Sequence, residues 1–246
     1  MRLGILDWGI GGLDCLRRLR TRCADLDLVY VSDAGYTPYG KVPPRELAER
    51  VSRVIGEMNV DRVVLACNAA SAVLGDIDVD LPLEGIIRHG VAAALATPHH
   101  HLGVVGGHRT IEDQVYGRPL RDAGRVVIER VAQPLSAHVE AGRLQGEEIR
   151  AALDAIVAPL AGVDALILAC THYCALTPLF EQALPGVQLI DPVVSLVTHL
   201  VEDWGLEAEP GSGALMVWNT GDPAQMQTSA RRVFGVHLDA IERRVV

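Results

Sequence analysis

An α/β architecture is predicted from this sequence: two similar, doubly wound parallel-sheet domains related by a pseudo-two-fold axis, with a site between them. Three observations carry that expectation. The 246 residues are 49% hydrophobic but only 4% aromatic, so any core must be aliphatic, and the length suits one large or two small domains. Short aliphatic runs alternate with longer stretches whose apolar residues recur at helical spacing, the pattern of parallel strands covered by helices. Lastly, Val60-Asp61-Arg62-Val63-Val64-Leu65-Ala66-Cys67 matches Val163-Asp164-Ala165-Leu166-Ile167-Leu168-Ala169-Cys170 at five of eight positions. Upstream of each, Arg2-Leu3-Gly4-Ile5-Leu6 echoes His101-Leu102-Gly103-Val104-Val105, and 63 residues separate Gly4 from Cys67 where 67 separate Gly103 from Cys170.

The chain opens on a predicted strand, Leu3–Leu6, rather than on a secretory signal. A glycine-rich turn follows, Asp7-Trp8-Gly9-Ile10-Gly11-Gly12-Leu13, but it lacks the G-x-G-x-x-G order of a dinucleotide fingerprint. Further strands are expected at Leu28–Val31, Arg62–Ala66, Gly103–Val105, Val126–Arg130, Ala165–Ala169 and Gln188–Ile190. Helices are expected over Pro44–Met58, Gly146–Ala158 and Leu176–Leu184. Another should run over Asp222–Phe234, started by the turn Asn219-Thr220-Gly221-Asp222-Pro223. Pro98-His99-His100-His101 reads as a solvated loop between domains, because adjacent histidines diverge and ligate a metal poorly. The resulting division is residues 1–92, residues 93–190, and a segment 191–246 returning to the first domain.

Composition excludes several functions. Net charge is −9 with no basic run, which disfavours nucleic acid. No apolar run approaches the roughly 18 residues of a membrane span, and a cytoplasmic location is expected. In that reducing compartment the five cysteines should be free thiols, with Cys15 and Cys23 serving as packing residues. Pyridoxal phosphate needs a Schiff-base lysine; the sole lysine, Lys41, sits in a turn beside Gly40 and should be exposed. No phosphate-binding G-x-x-x-x-G-K-[ST] loop occurs. Cys170-Thr171-His172-Tyr173-Cys174 lacks zinc-ligand spacing. Neither cofactor nor metal is therefore expected.

Cys67 and Cys170 need a separate account. Each follows a buried strand at its carboxyl end, where open α/β sheets bind ligands. Each precedes small or polar residues that open a helix: Asn68-Ala69-Ala70-Ser71 in one case, Thr171-His172 in the other. Helix N-termini offer unpaired N–H groups that hold anions and lower a thiol pKa. If the halves face each other, the two thiols bracket one carbon. One thiolate could then remove an α-proton while the other thiol reprotonates the opposite face, which is racemisation. Two buried structural cysteines would satisfy the same strand patterns; the pairing and the polar flanks favour reactive groups.

These residues resemble the aspartate/glutamate racemase family, closest to its glutamate-specific members, over essentially the whole chain. The family's Asp-Ser-Gly-x-Gly-Gly loop is similar to Asp7 through Gly12, and its Pro-Tyr-Gly turn stands as Pro38-Tyr39-Gly40. Its Cys-Asn-Thr-Ala-Ser block resembles Cys67-Asn68-Ala69-Ala70-Ser71. Its Leu-Val-Glu-x-Gly segment resembles His138-Val139-Glu140-Ala141-Gly142, and Cys170-Thr171-His172 matches its Cys-Thr-His block. The resemblance implies a cofactor-independent, two-base racemase of an acidic amino acid, with the site between two domains and, as is common in the family, a homodimer. It implies that Asp7 assists Cys67 and that His172, with Glu140, assists Cys170. Read alone, Asp7 could equally cap a loop and His172 sit satisfied in the core. The resemblance further implies substrate contacts from Trp8, Pro38, Tyr39, Gly40, Asn68, Ala69, Thr110 and Thr171, with Asn68 and Thr171 on the amino and carboxylate groups. Backbone N–H groups of Tyr39 and Gly40 would take the side-chain carboxylate.

This sequence departs from the family in places. The serine after the first aspartate is Trp8, and the threonine after Cys-Asn is Ala69. The Gly-Thr-x-x-Thr loop stands as Gly106-Gly107-His108-Arg109-Thr110, and Gly-Val-x-Glu-Pro as Gly85-Ile86-Ile87-Arg88-His89. Proton-transfer residues are kept while substrate-binding hydroxyls are lost, so the reaction type is better specified than the substrate. Two alternatives stand beside the racemase: a dicarboxylate lyase or isomerase of the same fold, and a non-catalytic ligand-binding relative.

Overall fold

The computed structural model describes residues 1–246 and contains two wholly parallel sheets. The strands are β1 (Arg2–Asp7), β2 (Asp27–Ser32), β3 (Arg62–Leu65), β4 (Leu83–Gly85), β5 (His101–Gly106), β6 (Val126–Val131), β7 (Ala165–Ala169), β8 (Gln188–Ile190), β9 (Leu215–Asn219) and β10 (Glu242–Arg243). The first sheet runs β10-β9-β2-β1-β3-β4 and the second β6-β5-β7-β8. All seven expected strands and all four expected helices form, each end within two residues of its expected position.

The repeat is built into the pairing. Four strands of the first sheet, β2-β1-β3-β4, follow the same order as β6-β5-β7-β8. Gly4 pairs with Val63 and Gly103 with Leu166; each partner lies four residues before a cysteine. Both glycines exist for the same reason. A Cβ on Gly4 would lie 2.5 Å from Met58 Cε and 3.1 Å from Val60, and one on Gly103 would lie 2.9 Å from Leu166 and 3.4 Å from Val163. Val60 and Val163 are the first residues of the repeated octapeptide, so the same valine fills the space over the same glycine in both halves. The central strands β1 and β7 are buried almost throughout, as parallel strands covered on both faces must be.

Three short strands were not expected. β4 has three residues and β10 two, too few to show a period. β9 carries only five, and Leu215 and Met216 at its start are exposed. It is held beside β2 by Asp27, whose carboxylate accepts hydrogen bonds from Ser212 N, Ser212 Oγ and Ala214 N at 2.8–3.0 Å. The chain also crosses between sheets earlier than residue 92. The helix Ile87–Leu95 packs on β7 and β8, so the crossing follows β4 directly. His99 and His100 lie in a loop inside the second half, with His101 as the first residue of β5. The helix Pro192–Glu202 packs on both Ile87–Leu95 and Leu13–Arg22; only from β9 onward does the last segment join the first sheet. No helix is long and apolar enough to cross a membrane.

Candidate active site

Strand ends bring the site together. Asp7 is the last residue of β1, Cys170 directly follows β7, and Cys67 lies two residues past β3 as the N-cap of the short helix Asn68–Ser71. One cleft is lined by Asp7, Trp8, Pro38, Tyr39, Gly40, Cys67, Asn68, Ala69, Thr110, Cys170, Thr171 and His172. Glu140 stands behind His172 and faces the outer mouth of the cleft, which Lys41 and His108 also line. Gly107, Gln133, Ser136 and Ala169 complete the inner lining. Of these, Gln133 and Ser136 were legible in principle, because with Glu140 they fall at i, i+3 and i+7 on the helix Gln133–Glu140, one helical face.

The glycine-rich turn is explained by close approach rather than by phosphate binding. A Cβ on Gly11 would lie 2.3 Å from Thr171 Oγ1 and 2.8 Å from His172 Nδ1, and one on Gly9 would lie 2.3 Å from Glu140 Oε2. The first half's loop thus presses against the second half's Cys-Thr-His segment. Backbone and side chains then interlock across the cleft. Thr171 Oγ1 donates to Asp7 Oδ2 at 2.9 Å, Gly9 N donates to Asp7 Oδ1 at 3.0 Å, and Ile10 N donates to Glu140 Oε2 at 3.0 Å.

The two thiols have different proton environments. His172 Nδ1 lies 3.7 Å from Cys170 Sγ, and its Nε2 lies 2.7 Å from Glu140 Oε2. Burial disfavours a charged His172 ring, but Cys170 and Glu140 on either side outweigh burial and hold its pKa well above the usual imidazole value. Cys67 has no such partner. Burial, then the Asp7 carboxylate, push its thiol pKa up, and the N–H groups of Ala70 and Trp8 offset this only in part. The expectation that a helix N-terminus would lower this thiol therefore fails: a four-residue helix offers too little against full burial beside a carboxylate. The flanks differ as well. Thr171-His172 lead not into an α-helix but into a 3-10 turn, Tyr173–Leu176, followed by the helix Thr177–Ala183. Burial also raises the Asp7 pKa, against the pull of His172, Gly9 N–H and the Thr171 hydroxyl.

Several residues of the cleft lining are held from behind. Asp33 is buried and takes two hydrogen bonds from Arg50 at 2.9 and 2.6 Å, one from Tyr39 Oη at 2.7 Å and one from Thr220 Oγ1 at 2.8 Å. These fix the Tyr39–Lys41 turn. Asn68 Oδ1 accepts from Tyr116 Oη at 2.7 Å, while its buried Nδ2 has no partner. A free donor suits a carboxylate better than the ammonium group assigned to Asn68 above. Trp8 does not turn away; its ring lines the cleft and its Nε1 donates to Tyr36 O at 3.0 Å. Arg88 and Arg109 are both engaged elsewhere, the former with Glu84, the latter with Val42 O and Asp113. With His108 confined to the outer mouth, none of these three side chains replaces the family hydroxyls absent at positions 8 and 69. Lys41 is exposed and outside the inner lining, a poor place for a Schiff base.

The fold and cleft define an α/β protein of two matched halves with two cysteine thiols lining one cleft. Residues 34–200 match the Asp/Glu/Hydantoin racemase family. A glutamate racemase of Shouchella clausii (strain KSM-K16) is 32% identical over 97% of this chain and 92% of its own. One of Latilactobacillus sakei subsp. sakei (strain 23K) is 30% identical over 94% and 89%. Among solved structures, glutamate racemase from Thermus thermophilus in complex with beta-chloro-D-alanine superposes with a TM-score of 0.86 at 26% identity, covering 99% of this chain and 96% of that one. The Aquifex pyrophilus glutamate racemase gives 0.82 at 28% identity, over 98% of each. This chain belongs to the Asp/Glu/Hydantoin racemase family. It is an amino-acid racemase, an isomerase of the aspartate/glutamate type.

Proposed function

We propose that the enzyme interconverts the D and L forms of an acidic amino acid, glutamate or a close relative, by two-base proton transfer between Cys67 and Cys170. The observation that carries this reading is that both cysteines, at register-equivalent positions of two matching sheets, line a single cleft. In one direction the Cys170 thiolate, its proton held by the His172–Glu140 pair, removes the α-proton. The Cys67 thiol then delivers a proton to the opposite face of the carbanion, and the N–H groups of Ala70 and Trp8 hold the thiolate that results. In the other direction the roles reverse, with Asp7 accepting the Cys67 proton.

Asn68 Nδ2 binds the α-carboxylate, where a donor stabilises the charge that develops on deprotonation, and Thr171 Oγ1, whose own proton goes to Asp7, accepts from the ammonium group. Backbone N–H groups of the Tyr39–Gly40 turn hold the side-chain carboxylate, with Thr110, Gln133 and Ser136 completing the polar lining. A single face-specific base in a closed site would return the proton to the face it came from; two bases invert the centre. The chemistry calls on neither metal nor pyridoxal phosphate. A reducing compartment such as the cytoplasm suits the five free cysteines, and a homodimer belongs to the same reading.

Solvent deuterium is the direct test. Each acidic amino acid of a panel is incubated with enzyme in heavy water, and the label at Cα and the optical rotation are followed together. Label appearing as rotation decays, unaffected by chelator or hydroxylamine, is the expected result. Carbon dioxide release without inversion would mark a lyase instead, and neither label nor inversion would mark a binding protein.

A further inference from the structure

Outside the cleft, the crossover between the two halves gathers a second group of titratable side chains. Glu84 on β4, His89 on the helix Ile87–Leu95 and His199 on the helix Pro192–Glu202 place one ligand atom each within 4.8 Å of one another. Sequence spacing could not show this, because His199 is 110 residues from His89 along the chain and meets it only through helix packing. None of the three lines the cleft.

We infer that Glu84, His89 and His199 form a site for a divalent transition metal of the zinc class, now filled by the guanidinium of Arg88. The donor set, two imidazoles and a carboxylate, is a zinc type. Bonds of about 2.0–2.1 Å in tetrahedral array put ligand atoms roughly 3.3 Å apart. Here one ligand atom from each residue lies within 4.8 Å of the other two, with the Glu84 carboxylate turning Oε1 to His89 Nε2 at 3.0 Å and Oε2 to His199 Nε2 at 3.7 Å.

The imidazoles are oriented for ligation. Asp203 Oδ2 lies 2.5 Å from His199 Nδ1, a carboxylate placed to accept a proton on Nδ1 in the tautomer that presents the Nε2 lone pair to the cluster. A carboxylate on the far ring nitrogen is the outer support that metal-bound histidines commonly have. His89 and Glu84 are buried, which removes competing water.

Arg88 marks where the cation goes. Its Nη2 touches Glu84 Oε2 and lies 3.0 Å from His199 Nε2, and its Nε lies 3.3 Å from His89 Nε2. All three donors therefore already face one positive group. The Arg88 side chain is 60% exposed, so it can swing into solvent and leave its place to a metal. No bond is broken in the exchange except hydrogen bonds, and one proton leaves His89 if its Nε2 carries it. Since Glu84 belongs to the first sheet and both histidines to helices packed on the second, a bound metal would tie the halves at their crossover.

Equilibrium dialysis of zinc tests this. The chain is stripped with chelator and carries Cys67→Ser and Cys170→Ser to silence the cleft thiols. One zinc ion per chain should bind. Affinity should fall at least tenfold in His199→Ala and rise at least tenfold in Arg88→Gln, where the resident cation is gone. Zinc should also raise the unfolding midpoint of the parent but not of His199→Ala. Undiminished binding in His199→Ala would assign the metal elsewhere, the Asp14–Cys174–Asp191 group included, and would overturn the proposal. So would an Arg88→Gln variant, folded by circular dichroism, that binds no more tightly than the parent.

Discussion

Cys67 and Cys170 occupy the same register position in two matched sheets, yet their neighbours share almost nothing. Cys170 has an imidazole at 3.7 Å backed by a carboxylate. Cys67 has a carboxylate residue of its own sheet and backbone N–H groups. The backbone repeat brings both cysteines to one cleft, and the side chains around them differ. Burial and the Asp7 carboxylate push the Cys67 thiol pKa up, while Cys170 and Glu140 hold the His172 ring well above the usual imidazole value. Each half also reaches into the other's chemistry: Thr171 donates to Asp7, and Ile10 N donates to Glu140.

Deleting either thiol should break this comparison most sharply. Cys67→Ala and Cys170→Ala should each lose racemisation on the order of 10³-fold or more, followed by polarimetry from both enantiomers. A variant racemising near normally from both sides would show its cysteine to be structural. Replacing His172 by Asn should cost about 10²-fold. The enantiomers have equal free energy, so kcat/KM must fall equally in the two directions. The asymmetry should surface instead in isotope effects: α-deuterated substrate approached by Cys170 should show the larger increase. Equal increases for both enantiomers would argue that His172 merely shapes the cleft.

Much of this site was readable in the chain because its residues follow strand ends. Asp7, Cys67 and Cys170 fall where an aliphatic run stops, and the octapeptide repeat exposes the pairing of the halves. Seven strands, the three-residue Gln188–Ile190 among them, and four helices with clear apolar spacing were legible for the same reason, while the five-residue β9, exposed at its start, was not. What was not legible depends on distant contacts. The spacing of Gln133 and Ser136 puts them on one helical face with Glu140, but where that face points is set only when the helix docks, and Asp33 gains meaning only from Arg50, Tyr39 and Thr220. The Cys67 thiol was misjudged because local sequence shows a helix start but not burial. Likewise the helix Ile87–Leu95 looks like part of the first half until its packing on β7 and β8 is seen.

Trp8 and Ala69 sharpen the comparison from the substrate side, since both lie in the half that holds Cys67. Their family counterparts are hydroxyl residues, and each lost hydrogen bond to a charged group costs about 1.5–3 kcal/mol, or more than tenfold in binding. The Trp8 Nε1 donor is already committed to Tyr36 O. Wild-type kcat/KM for glutamate should therefore be low, and Trp8→Ser with Ala69→Thr should raise it about tenfold or more. Efficient wild-type turnover of glutamate, unchanged in the double variant, would show both substitutions to be neutral.

The smallest expected effect is on stability and isolates the cost of keeping Asp7 where it is. Burial raises its folded pKa above 3.8, and the bonds from Gly9 and Thr171 and the nearby His172 only partly compensate. For an acid with a raised folded pKa, the folded chain binds more protons than the unfolded one between the two values. Stability is thus lost as pH rises through that window, and the loss persists at neutral pH. Asp7→Asn removes the charge and keeps one acceptor oxygen for Gly9 N or Thr171 Oγ1. Its midpoint at pH 7 should rise by about 2–4 °C, equivalent to roughly 1 kcal/mol in a chain of this length, while racemisation falls. The gap from wild type should close as pH falls below about 3.8, where both side chains are neutral. A lower midpoint in Asp7→Asn at pH 7 would mean that the two hydrogen bonds outweigh burial, and that this carboxylate stabilises the first half rather than straining it for function.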